Sequence, residues 1–141
     1  INVYLEPFQL DKDMVRPTGS TRVNEEKAKT LVKTFLPIFK IHEYEIREIR
    51  KFIDASPYPV ILAGDFNSVP NSYEYFQISK VLNDAFVAAG HGSGTSFHDY
   101  KFPIRIDYIF ASPALKAVSY RVDRSVQRSD HFAVTAGFNF K

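Results

Sequence analysis

Apolar residues recur along this chain with two periods. Ile1, Val3 and Leu5 fall on every second position, which on an extended backbone puts them on one face and predicts a strand over 1–6. Residues 7–20 carry two Pro and one Gly without a clean period and read as a loop. Asn24 then stands as a helix N-cap, with Glu25 and Glu26 in a first turn whose dipole favours acids. Ala28, Leu31, Val32, Phe35 and Leu36 follow at helical spacing. Pro37 is expected to kink or split this helix. A second helical stretch from about Phe39 to Asp54 carries Ile46, Ile49 and Ile53 on one side and a solvated, mixed-charge face on the other.

Pro57 and Pro59 end the helical period. Residues 59–66 are apolar on both faces, as a short central strand would be. Residues 68–72 form a turn, and Ser72 caps a short helix through about Val81. A Gly-rich loop spans 90–96, a further strand spans 105–110, and 131–140 closes the chain as a strand. Helices and strands mix without a repeat, so the class is α/β or α+β, with residues 1–141 as one unit.

Composition narrows the function classes. The apolar share of 45% and the charged share of 24% exclude disorder and coiled-coil composition. A net charge of +2 permits a phosphate-bearing ligand without arguing for a nucleic-acid coat. The absence of Cys excludes a disulfide framework, a thiol nucleophile and cysteine-ligated zinc. The longest apolar runs, such as Val60–Ala63, fall far below the roughly 18 residues of a membrane span. The chain opens with Ile in an apparent strand, which favours a piece of a longer protein. Any targeting segment would lie upstream of Ile1, so the compartment is unknown.

Candidate chemistry sits at three strand ends. Gly64 lets the backbone turn or approach a ligand, and Asp65 and Asn67 two residues apart point the same way on an extended chain. One can accept a proton or orient water, while the other donates to a developing oxyanion. Asp107 is a lone carboxylate in an apolar strand, and Asp130 and His131 are adjacent before the last strand. Each alone also has a plain reading: a turn, a strand-end cap or salt bridge to Arg105, a surface histidine. Together they make a set suited to phosphoryl transfer with a metal ion.

Ala63–Pro70 (AGDFNSVP), Arg105–Phe110 (RIDYIF) and Ser129–Val134 (SDHFAV) resemble, in order, the three C-terminal motifs of the endonuclease/exonuclease/phosphatase superfamily. Residues 84–86 and 92–97 resemble a common arrangement between the first two motifs. The resemblance implies the C-terminal half of a four-layer α-β-β-α sandwich and a metal-dependent phosphoester hydrolase, either a nuclease or phosphodiesterase or a phosphatase. Asp65 would orient or deprotonate the attacking water, and Asn67 would bind phosphoryl oxygens. Asp107 would pair with His131, which would contact the scissile phosphate. Asp130 would hold or lie near Mg²⁺ (or Mn²⁺), whose principal Glu ligand belongs to the missing N-terminal half.

The family's middle motif, Asn–x–His–Leu, corresponds to residues 2–5, with Tyr4 in place of His. Glu6, Glu25 and Glu26 do not replace the missing Glu. The expected partners are a phosphate ester, with nucleic acid one form of it, and the missing half of the domain. An exposed inner face would favour self-association. The chain alone is expected to be inactive. Arg105, Arg121, Arg124 and Arg128 flank the motifs and could meet phosphates, while His42, His91 and His98 read as surface residues. The alternative function is a non-catalytic module, derived from the same family, that binds a phospho-ligand or a protein.

Overall fold

The computed structural model describes residues 1–8, 21–98, 104–125 and 128–141, with Arg22 as backbone only. The expected 7–20 loop lies outside the described residues from position 9 onward. In chain order the elements are β1 (Asn2–Tyr4), α1 (Thr21–Ala55), β2 (Ile61–Asp65), α2 (Tyr73–Ser79), β3 (Asn83–Asp84), α3 (Ala85–Ala89), β4 (Asp107–Ala111), β5 (Leu115–Asp123) and β6 (Ala133–Phe140). Strands and helices mix, as the α/β reading expects.

One four-stranded sheet in the order β1-β2-β4-β3 carries the core. β1 runs parallel to β2, while β4 is antiparallel to both β2 and β3. The expected strand over 59–66 is therefore central, with a neighbour on each side. Phe66, Tyr108 and Phe110 pack against one another on it, with the Tyr108 and Phe110 ring centroids 5.1 and 5.7 Å from that of Phe66, edge-on and tilted. Gly64 sits at φ +146°, and a Cβ there would fall inside contact distance of the Val3 carbonyl oxygen. Only glycine lets β1 lie this close to β2.

The split at Pro37 is not observed: α1 is one helix of 35 residues with Pro37 inside it. Proline leaves the Lys33 carbonyl without its usual helical partner. Lys33 and Pro37 are both exposed, so water can satisfy that carbonyl. The helix already includes Thr21, so Asn24 lies inside it and does not cap it. The C-terminal half anchors the helix, with Ile46, Ile49 and Ile53 joining Leu62, Phe66 and Phe110 in the core. The expected cap of α2 is present: Ser72 Oγ accepts from the Tyr75 amide at 3.2 Å.

β5 and β6 form a separate antiparallel two-stranded sheet with an irregularity between Ala117 and Ser119. β5 has no clean alternation of apolar positions and was not anticipated. β4 starts at Asp107, later than expected, because the chain before it bonds elsewhere. The Ile106 carbonyl accepts from Phe66, and the Ile106 amide donates to Ser96 Oγ.

Candidate active site

Strand register assembles the site. In the β2–β4 ladder Asp65 lies opposite Asp107, bringing two carboxylates 42 positions apart to one end of the sheet. Like charges directly opposite repel, and His131 meets both. Its Nδ1 donates to Asp107 Oδ2 at 2.8 Å, and its Nε2 lies 3.8 Å from Asp65 Oδ2. The Asp107 bond fixes the tautomer and leaves Nε2 facing the cleft.

His131 is pinned by the chain that crosses in front of it. Phe97 bridges His131, the Phe132 amide donates to the Ser96 carbonyl at 2.6 Å, and the His98 amide donates to the Asp130 carbonyl at 3.0 Å. The Phe97 ring meets the imidazole edge-on at 4.9 Å.

Asn67 does not share an extended backbone with Asp65, as the spacing suggested. It sits at φ +46°, in the left-handed region that Asn tolerates better than most residues. This turn lets Asp65 Oδ1 accept the Asn67 amide at 2.8 Å, and Asn67 Nδ2 donates to the Leu5 carbonyl at 2.8 Å. Its remaining polar capacity opens on the same cleft, of about 560 Å³, that Tyr4, Asp65, Asp107, Asp130 and His131 line. The sequence-predicted residues thus converge on one cleft. Tyr4 lies on its wall, 68% exposed, in register with Asp65.

Burial pushes the Asp65 carboxyl up. The Asn67 amide and His131 oppose that push, while Asp107 and Asp130 add to it, and the net position is above the ordinary carboxylate value. A raised carboxylate is a stronger proton acceptor near neutral pH. Ligand atoms of Asp65, Asp107 and His131 lie within 4.8 Å of one another. Asp130, the residue expected to hold or lie near the metal, lines the same cleft outside that triad. A carboxylate-rich donor set of this kind suits a hard divalent cation.

Three features escaped the sequence reading. Ser96 is fully buried, and its Oγ accepts from the Ile106 and Asp107 amides at 3.1 and 3.0 Å. This one side chain ties the loop after α3 to the strand that carries Asp107. Its only sequence signal is a small polar residue in a Gly-rich loop. His42 is not a surface residue: it is fully buried, with Nδ1 2.6 Å from Glu74 Oε1 and Nε2 2.7 Å from the Glu6 carbonyl. Its signal was present, because His42, Ile46, Ile49 and Ile53 form one helical stripe. Arg105 is not available to phosphate: it is buried, donates to Asp84 Oδ2 at 2.7 Å, and lies over the Phe86 and Tyr108 rings. Arg121, Arg124 and Arg128 are exposed, as are His91 and His98.

This fold and cleft define a class. Residues 12–131 match the endonuclease/exonuclease/phosphatase family, and the chain belongs to it. Members hydrolyse phosphoesters and are generally dependent on a divalent metal.

Among solved structures, an endonuclease/exonuclease/phosphatase protein from Bacteroides vulgatus is 26% identical with a TM-score of 0.62, over 72% of this chain and 45% of that one. A mannosyl-6-phosphatase from Bacteroides thetaiotaomicron is 27% identical with a TM-score of 0.55, over 71% of this chain and 45% of that one. The human Nocturnin catalytic domain with bound sulfate, 22% identical with a TM-score of 0.53 over 68% of this chain and 38% of that one, shares the fold. The chain thus spans less than half the length of these structures. No match was found among the curated proteins. Among the described residues, no helix is long and apolar enough to cross a membrane.

Proposed function

We propose that this chain supplies the C-terminal half of a metal-dependent phosphoester hydrolase domain. The observation that carries the reading is the meeting of Asp65, Asp107 and His131 at one sheet end, with Asn67 and Asp130 on the same cleft. Asp65 orients the attacking water and takes its proton. Asp107 holds the His131 ring by Nδ1 so that Nε2 can contact a phosphoryl oxygen. The second N–H of Asn67 stabilises the charge that grows on that oxygen. Asp130 and the free oxygens of Asp65 and Asp107 are the donors this chain offers to Mg²⁺. When bound, that ion would neutralise phosphoryl charge. The remaining carboxylate ligand comes from the N-terminal half of the domain, so residues 1–141 alone bind metal weakly and turn over little.

The similarity to a mannosyl-6-phosphatase favours a phosphomonoester substrate. The test is release of phosphate from a monoester, and cleavage of a diester, in Mg²⁺ and in EDTA. Loss of activity in EDTA and in His131→Ala supports the proposal. Absence of hydrolysis even when the N-terminal half is present would instead support a non-catalytic binding module, with Tyr4 the residue to exchange for His.

A further inference from the structure

His42 is fully buried, yet the chemistry proposed for the cleft makes no use of it. Its ring stands between two acceptors, with Nδ1 2.6 Å from Glu74 Oε1 and Nε2 2.7 Å from the Glu6 carbonyl. A carbonyl and an ionised carboxylate only accept, so both ring nitrogens donate and the ring is an imidazolium. A buried charge is costly even when paired, and a well-packed apolar side chain could join α1 to α2 as well. The reason for a histidine here lies in what its second nitrogen holds.

The peptide units of Leu5 and Glu6 link α1 to the site. On one side the Leu5 amide donates to the Asp65 carbonyl at 3.0 Å, and the Leu5 carbonyl accepts from Asn67 Nδ2 at 2.8 Å. On the other side the Glu6 amide donates to Glu45 Oε2 at 3.4 Å, and the Glu6 carbonyl accepts from His42. The Glu45 bond is long and exposed, whereas the His42 bond is short and charge-assisted, so His42 fixes this segment against α1. The Phe8 ring then meets the imidazole edge-on at 5.0 Å, and Pro7 and Phe8 go on to line the cleft.

Asn67 needs that support. Its backbone sits at φ +46° and its own amide is taken by Asp65 Oδ1, so the Leu5 carbonyl is what orients its side chain. A shift of the Leu5–Glu6 units would turn the carboxamide, and with it the N–H left for the cleft. We propose that His42 is a positioning residue: through the Glu6 and Leu5 peptide units it aims the Asn67 amide at the phosphoryl oxygen, with Glu74 steadying the ring.

The proposal rests on the phosphoester reading of the cleft, and its test has one readout that needs turnover and one that does not. In residues 1–141, the Asn67 side-chain amide signals of a proton–nitrogen correlation spectrum should lie away from those of a free carboxamide. His42→Gln should move them toward the free position. In residues 1–141 joined to the N-terminal half of the domain, His42→Gln should lower kcat on a phosphomonoester roughly tenfold and leave KM nearly unchanged. That fall is part of the roughly hundredfold or more that loss of an oxyanion donor costs. In an Asn67→Ala background the same change should lower kcat no further, because nothing remains to be aimed. Glu74→Gln, whose amide can donate to Nδ1, should lower kcat less than Glu74→Ala, and this pair carries both readouts if His42→Gln does not fold. Asn67 signals that stay in place, an unchanged kcat, or an equal fall in kcat with and without Asn67 would each overturn the proposal. A joined form that hydrolyses no ester even when unsubstituted would sink the hydrolase reading, while the Asn67 signals still decide whether His42 holds that side chain.

Discussion

At the scale of single residues, the site depends on Asp107 holding His131. Asp107→Asn keeps the shape but removes the charge that orients the imidazole, so activity should fall roughly a hundredfold to ten-thousandfold with the fold intact. Steady-state rates of residues 1–141 joined to the N-terminal half of the domain, together with a far-ultraviolet spectrum, would check both halves of that expectation. Ser96→Ala should act differently. It strips the acceptor from two buried amides and should cost about 2–4 kcal/mol in denaturant unfolding, with activity falling as the Asp107 strand end loosens. That Asp65, Asn67, Asp107, Asp130 and His131 line one cleft agrees with the sequence reading, which rested on the set they make at strand ends and on the resemblance of three segments to family motifs, since none of them is distinctive alone. Ser96 and the Asp84–Arg105 pair were not legible, because a serine that bonds backbone amides and an arginine that bonds a distant aspartate leave no local pattern.

At the scale of elements, close approach matters most where β1 meets β2. Gly64→Ala must push β1 away from its neighbour and with it Tyr4 and the Leu5 carbonyl that holds Asn67. A loss of several kcal/mol and a matching loss of activity are expected from thermal unfolding and rate measurements together. Pro37→Ala should do the reverse. It restores one helical hydrogen bond in an exposed stretch of α1 and should raise the thermal midpoint, read by calorimetry. The central strands and the capped α2 could be read from periodicity and from Ser72. The unbroken helix could not, since propensity sees the proline but not the packing of Ile46, Ile49 and Ile53 that holds the helix in place. β5 was hidden for a related reason: its half-exposed positions alternate too weakly to show a period.

At the scale of the whole molecule, the His42–Glu74 pair joins α1 to α2 and, through Glu6, to the segment beside the cleft. Burial pushes His42 down, but its bonds to Glu74 and the Glu6 carbonyl, with the charges of Glu74 and Glu45, hold it above 6.5. Burial pushes Glu74 up, but His42 and the nearby donors hold it below 4.5. The histidine's contribution to stability is complete below pH 6.5 and is lost as pH rises through its higher folded value. The glutamate's contribution is complete above pH 4.5 and is lost as pH falls through its lower folded value. The thermal midpoint should therefore decline on both sides of that window, and His42→Gln should abolish the histidine's share of the alkaline decline. The central claim is that this cleft hydrolyses a phosphoester with a divalent ion and that the chain holds half of the machinery. It is tested most directly by phosphate release from a sugar phosphomonoester in Mg²⁺, comparing residues 1–141 alone with the same residues joined to the N-terminal half of the domain. The account predicts turnover in the joined form that vanishes with EDTA and with His131→Ala, and little turnover from residues 1–141 alone. Turnover that persists in EDTA or in His131→Ala, or none in the joined form on this ester or a diester, would contradict it.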